Sequence, residues 1–215
     1  MPKSRIKHSL YLLVFTGIIS CQTSPNKLPI LGEREPITKE VDGKTVVDTL
    51  YHTIPDFAFV NQLGDTVTQK NVKGKIYVTD FFFTTCPTIC PVMKKQMVKV
   101  YEKFKGNEQV MILSHTIDPD HDTPEVLKTF AADLGIEGTQ WQFLTGPKEK
   151  IYEIGQGSYL VTAKEDAEAE GGYIHSGAFI LIDKEHRVRG MYDGTTEEGA
   201  EKLMKDIDIL LAEYK

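Results

Sequence analysis

Two cysteines separated by three residues, in Cys86-Pro87-Thr88-Ile89-Cys90, carry the strongest chemical signal in this sequence. They stand where an aromatic and β-branched run over residues 76–83 hands over to apolar spacing of helical period across residues 91–104. Side chains four apart on a helix share one face, so the two sulfurs can meet each other or share a metal ion. A helix N-terminus favours thiolate over thiol, because its unpaired N–H groups and the positive end of its dipole face the sulfur. Thiolate is both the nucleophile of disulfide exchange and the ligand that selects soft ions such as Cu(I). Pro87 and Pro91 suit a helix entry and would disrupt a helix interior.

The neighbours of the pair remove other cysteine chemistries. No His follows Cys90, so this is not a haem attachment site, and no further Cys follows to complete a radical iron–sulfur motif. Phe83 stands where a peroxiredoxin would carry Thr. The whole chain holds 3 cysteines, too few for a four-thiolate zinc or iron–sulfur site.

Five other polar positions could join the chemistry. His175 precedes a strand-like run over residues 178–182. Asp118 closes a buried strand in Ile117-Asp118-Pro119, where it either supports a metal ligand from outside the coordination shell or caps the turn. His115 and His121 flank it and rank lower as ligands. Asp80 interrupts an apolar strand six residues before Cys86, the offset at which thioredoxins carry a buried Asp. A carboxyl buried there has a raised pKa and can move a proton to or from the second thiol; on an exposed edge it would do nothing of the kind. Met93 and Met97, at helical spacing, belong to the core, and His52 has no visible companion.

The elements that must hold these residues follow from composition and periodicity. A chain of 215 residues, 40% hydrophobic and 26% charged, is one globular domain with an extension. Its formal charge of −6 argues against nucleic acid as a partner. At the N-terminus Lys3, Arg5 and Lys7 precede the apolar run Leu10-Tyr11-Leu12-Leu13-Val14-Phe15, with no acid before Glu33. About ten residues at roughly 1.5 Å each cannot cross a hydrocarbon core of about 30 Å, so residues 1–20 read as a secretory signal. Its ending, Ile18-Ile19-Ser20-Cys21, resembles a bacterial lipobox, which makes Cys21 a lipidated mature N-terminus in the cell envelope, facing the periplasm or exterior. Residues 21–43, with scattered Pro and Gly and no apolar period, are expected as a flexible tether to a domain over residues 44–215. An exported pair is oxidised unless it is reduced by a partner or bound to metal.

Within the domain, strands are expected near residues 57–60, 66–67, 76–83, 110–113, 142–144, 178–182 and 188–192. Helices are expected over 91–104, from Pro124 to the residue before Gly135, over 147–154 and over 197–214. The acidic stretch 164–172 reads as a solvated loop. This order implies an α/β, thioredoxin-like three-layer fold with a mixed central sheet, an N-terminal hairpin and a loop insertion before the last β-hairpin.

Four segments then resemble one family in its own order: Phe83-Thr84-Thr85-Cys86-Pro87-Thr88-Ile89-Cys90-Pro91, Ile117-Asp118-Pro119-Asp120-His121-Asp122-Thr123-Pro124-Glu125, Trp141-Gln142-Phe143-Leu144-Thr145-Gly146 and His175-Ser176. The chain resembles the Sco/SenC copper chaperones over about residues 50–213. The resemblance implies that Cys86, Cys90 and His175 bind one copper ion per chain, as Cu(I) or Cu(II). It also implies delivery to the dinuclear copper centre of a respiratory oxidase subunit or another dinuclear-copper protein, with a thiol reductant as a second partner. Two thiolates with one imidazole suit both oxidation states. The competing reading is a thiol–disulfide reductase that keeps a cuproprotein's cysteines reduced; Asp80 and the redox-active Cys86–Cys90 pair favour it, whereas a three-residue spacing and His175 favour metal.

Overall fold

The structure, a computed structural model, describes residues 27–166, 168 and 172–215; the leader and Cys21 lie outside the described residues. The chain first forms β1 (Arg34–Val41) and β2 (Lys44–Tyr51), then β3 (Ala58–Asn61), β4 (Thr66–Thr68) and a short α1 (Gln69–Val72). The cysteine segment lies between β5 (Ile76–Phe82) and α2 (Ile89–Phe104), and β6 (Val110–Thr116), α3 (Pro124–Asp133), β7 (Trp141–Thr145) and α4 (Lys148–Gly157) follow. Two short strands, β8 (Ala163–Glu165) and β9 (Tyr173–His175), precede β10 (Ala178–Ile182), β11 (Val188–Asp193) and α5 (Glu197–Glu213).

Every residue of β5 and β6 is buried, as strands covered on both faces require, and this is why their sequences run without polar alternation. They pair in parallel, Ile76 opposite Val110 through Phe82 opposite Thr116, and β6 pairs in parallel with β7. The seven-stranded sheet has the order β11-β10-β5-β6-β7-β3-β4, with the outer pairs antiparallel, so the sheet is mixed as expected. On one face Lys94 of α2 reaches Asp80, Phe130 of α3 stacks on Phe82, and α5 packs beside α2. On the other face α4 approaches so closely that a Cβ on Gly155 would stand 3.0 Å from Phe81. Helix starts follow the sequence signals: Thr123 caps α3 ahead of Pro124, and Thr196 caps α5 ahead of Glu197 and Glu198.

Two segments differ from the sequence reading. Arg34–Val41, assigned to the tether, pairs with Lys44–Tyr51 as a two-stranded ribbon that is exposed almost throughout. A ribbon with no buried face has no reason to alternate apolar and polar residues, so periodicity does not reveal it. In the acidic stretch, β8 pairs with β9, Ala163 opposite His175, so the insertion is closed by a small hairpin. Val92 is exposed, outside the apolar stripe of α2.

His115 is the anomaly of the core. It is wholly buried on β6, neither ring nitrogen has a hydrogen-bond partner, and Phe57, Phe59, Phe81 and Tyr159 surround the ring. Burial drives its pKa down to about 3, so the native protein holds it neutral. The unfolded chain takes up a proton near the ordinary value of about 6.5, so stability is lost as pH falls from there toward 3. Urea unfolding should therefore find the protein about 2 kcal/mol weaker at pH 5 than at pH 7 from this residue alone. The His115→Phe variant should lose that part of the pH dependence; an identical slope in both proteins would refute the assignment.

Candidate functional site

Cys86 lies in the turn after β5, where its N–H donates to Phe83 O at 3.3 Å, and Cys90 lies in the first turn of α2. The two are therefore not stacked on one helical face, as the spacing alone suggested. Cys86 sits ahead of the helix, so its sulfur meets the amide groups that a helix start leaves unpaired. Thr88, the N-cap, makes no side-chain cap, and its hydroxyl stands 3.7 Å from Cys86 Sγ. Both sulfurs are thiols and both are buried.

The two thiols are electrostatically unlike. Burial pushes Cys86 up, but hydrogen bonds from the Cys90 thiol, from the Cys90 and Thr88 amides and from the Thr88 hydroxyl outweigh it and leave Cys86 below the ordinary thiol value. Cys90 is raised far above that value, chiefly by deeper burial and also because its proton is shared toward Cys86. Cys86 is therefore the more acidic of the two thiols, and Cys90 the one that keeps its proton more tightly.

Asp122 fixes the outer end of the turn. It is fully buried and accepts from Thr84 N at 3.1 Å, Thr84 Oγ1 at 2.5 Å and Thr116 Oγ1 at 2.5 Å. His121, half exposed, holds Nδ1 3.0 Å from the same carboxylate, and this hydrogen bond raises its pKa. Thr123 caps α3, which leaves the Asp122 carboxylate to the cysteine turn.

Asp118 receives the Tyr173 hydroxyl at 2.8 Å, which ties the loop after β6 to β9, and its own N–H donates to Thr116 Oγ1. The Tyr173 ring stands 5.0 Å from that of Phe83, three residues before Cys86. Gly177, just past β9, passes so near α2 that a Cβ there would lie 3.8 Å from Ile89 Cδ1. The backbone of His175 thus runs between two contacts with the cysteine segment, one at Tyr173 and one at Gly177. His52 lies elsewhere, with Nε2 2.8 Å from Ser158 O, and Met93 and Met97 are core residues as expected.

Asp80 is not on a sheet edge. It is fully buried on the central strand and accepts from Lys94 Nζ at 2.7 Å and Ser114 Oγ at 2.5 Å. Trp141 Nε1 donates to the same Ser114 oxygen at 2.9 Å, and the Lys94 ammonium stands 3.9 Å from the Phe82 ring centre. Lys94 lies one helical turn beyond Cys90, and its charge works to lower the Cys90 pKa. Sequence reasoning missed this lysine. The signal was a pair of lysines, Lys94 and Lys95, between Met93 and Met97, of which Lys94 lies on the face that meets the buried carboxylate.

A family description for SCO1/SenC matches residues 47–212. A protein from Bacillus subtilis (strain 168) called a SCO1 protein homolog is 34% identical over 167 residues, covering 77% of this chain and 86% of that one. The crystal structure of a SCO1/SenC family lipoprotein from Bacillus anthracis superposes with a TM-score of 0.68 at 32% identity, covering 74% of this chain and 95% of the other. Bradyrhizobium japonicum ScoI with copper bound superposes at 0.59 with 25% identity, over 71% of this chain and 98% of its own.

The ion pair beneath α2 yields a sharp expectation. Lys94→Met leaves the Asp80 carboxylate buried without its counter-charge and should cost about 3–5 kcal/mol. Asp80→Leu combined with Lys94→Met should recover most of that loss, since a paired charge is replaced by apolar volume. Urea unfolding of the three proteins decides it: a double variant as weak as the single would mean the pair does not act as a unit.

Proposed function

The chain belongs to the SCO1/SenC family, and from that premise we propose that it is a copper chaperone serving assembly of the dinuclear copper centre of a respiratory oxidase. The observation that carries the proposal is the thiol pair at the start of α2, in which hydrogen bonds from Cys90 and Thr88 make the Cys86 sulfur the better thiolate. In this reading copper is cargo. Cys86 and Cys90 supply two soft ligands, and His175 supplies an imidazole from β9, which the Tyr173–Phe83 and Gly177–Ile89 approaches hold beside the cysteine turn. Asp118 acts through Tyr173 to hold that strand. One copper per chain, as Cu(I) or Cu(II), is the expected load. Transfer to an acceptor whose own thiolates compete for the ion proceeds by ligand exchange through Cys86, the sulfur nearer the surface.

The remaining expectations belong to the same reading. Residues 1–20 are the leader, and Cys21 is the lipidated residue that anchors the chain to a membrane, facing the periplasm or exterior. Among the described residues no helix is long and apolar enough to cross a membrane, which is compatible with anchorage by lipid. A thiol reductant partner returns the pair to its reduced form.

The unlike thiols also favour a second activity, reduction of a partner's disulfide, since attack by Cys86 followed by resolution at Cys90 needs that order of pKa values. Here Asp80 is held in a charge pair with Lys94, so it acts on Cys90 through the lysine.

The decisive measurement uses the reduced chain without its first 26 residues, loaded with Cu(II) under anaerobic conditions. An intense thiolate-to-Cu(II) absorption at about one copper per chain, lost in His175→Ala while the dithiol still oxidises, is the expected result. Copper released as Cu(I) with disulfide formation in both proteins would instead assign the pair to redox exchange.

A further inference from the structure

The ribbon of β1 and β2 stands apart from the site, and β1 with the first residues of β2 lies ahead of the family match. It closes through Asp42-Gly43, whose φ values of 51° and 72° make the two-residue turn that suits a twisted hairpin. A two-stranded ribbon is marginal alone in water, and its outer rows of N–H and C=O groups are open to another strand. This one also exposes Val41, Val46, Val47 and Leu50, with Val47 78% exposed.

The register distinguishes the two edges. His52 N donates to Glu33 O at the base, and bonded pairs alternate from there, so Lys44, Val46, Asp48 and Leu50 bond inward to β1. Thr45, Val47, Thr49 and Tyr51 therefore turn their backbone groups outward from β2. On β1 the outward row contains Pro36, which has no N–H to offer and blocks that edge. The edge of β2 is open at Thr45 and Val47, while Thr49 N donates to the neighbouring Asp48 carboxylate at 2.7 Å.

Its charges favour one occupant. Lys39, Glu40, Asp42, Lys44 and Asp48 are of mixed sign, with Lys39 bridged to Asp48 at 2.5 Å within the ribbon, which gives no single-sign field for a lipid surface. They are self-complementary. When β2 meets a second β2 antiparallel about Val46, each Lys44 lies opposite Asp48 of the second copy, the two Val46 side chains meet, and Thr45 and Val47 exchange backbone bonds across the axis. A register centred on Asp48 would instead oppose two carboxylates. We propose that the chain pairs with a second copy of itself through β2, forming a four-stranded β1-β2-β2-β1 sheet with its two-fold axis at Val46.

The test uses the full chain carrying Val46→Cys, oxidised mildly, with the linked peptides identified by mass. A disulfide joining two copies at position 46 should form at least about tenfold faster than one at position 38 in Thr38→Cys, on the blocked edge. Adding Lys44→Asp or Asp48→Lys alone should slow it about tenfold, because like charges then face each other. An equimolar mixture of the two charge variants should regain the parental rate as mixed dimers. These exposed substitutions leave the core untouched, and because Asp48→Lys also removes the Lys39–Asp48 bridge of its own ribbon, recovery in the mixture is what separates loss of pairing from loss of the ribbon. Equal rates at positions 46 and 38, or cross-linking indifferent to the charge variants, would overturn the pairing.

Discussion

The Lys94–Asp80 ion pair is the constraint on which the site depends. It joins the helix that carries Cys90 to the central strand that delivers Cys86, in a region from which water is excluded. Charges so deep are retained only when both are matched in number and geometry. Here Ser114 and Trp141 complete the set, and the Phe82 ring faces the ammonium. A helix held this way has one register against the sheet, so the first turn of α2 presents its amide groups at one place relative to the end of β5. The unequal acidities of the two thiols follow from that placement, because the sulfur ahead of the helix receives hydrogen bonds while the sulfur within it is desolvated.

A second constraint operates above the sheet. Asp122 gathers Thr84, Thr116 and His121 onto one carboxylate, and Tyr173 bridges Phe83 and Asp118. The cysteine turn is thereby held from the loop after β6 and from the inserted hairpin at once. The turn is fixed from below by the core, and Tyr173 joins the hairpin to it.

The same polar groups have opposite meanings on the two faces of the sheet. Asp80 and Ser114 are satisfied by partners from α2 and β7, whereas His115, next along β6, has aromatic rings for neighbours and no partner at all. It is tolerated because imidazole can be neutral and nearly apolar, which a carboxylate cannot. The unpaired ring nitrogens carry a desolvation cost at any pH, and a further cost appears when the solvent is acidic enough to charge the unfolded chain.

Much of this was legible in order and spacing. The alternation of strand and helix, the buried centre at β5 and β6, and the cysteine pair at a strand-to-helix junction follow from local periodicity and the chemistry of Pro, Gly and Cys. The ribbon β1–β2 was not legible, since a strand without a buried face carries no period, and neither was the pairing of β8 with β9, which depends on residues brought together across a loop. Partnerships between distant residues were also hidden. Asp80 could have been a proton-moving base or a residue of an exposed edge, and nothing local revealed what Asp122 would hold. Burial and the approach of Lys94 and Thr84 settled these, because the energy of a polar side chain depends on what the fold places within about 3 Å of it. The sequence by itself determined which groups this protein has for chemistry and the elements that carry most of them; tertiary structure decided which groups meet, how deeply they are buried, and so which thiol is the more acidic.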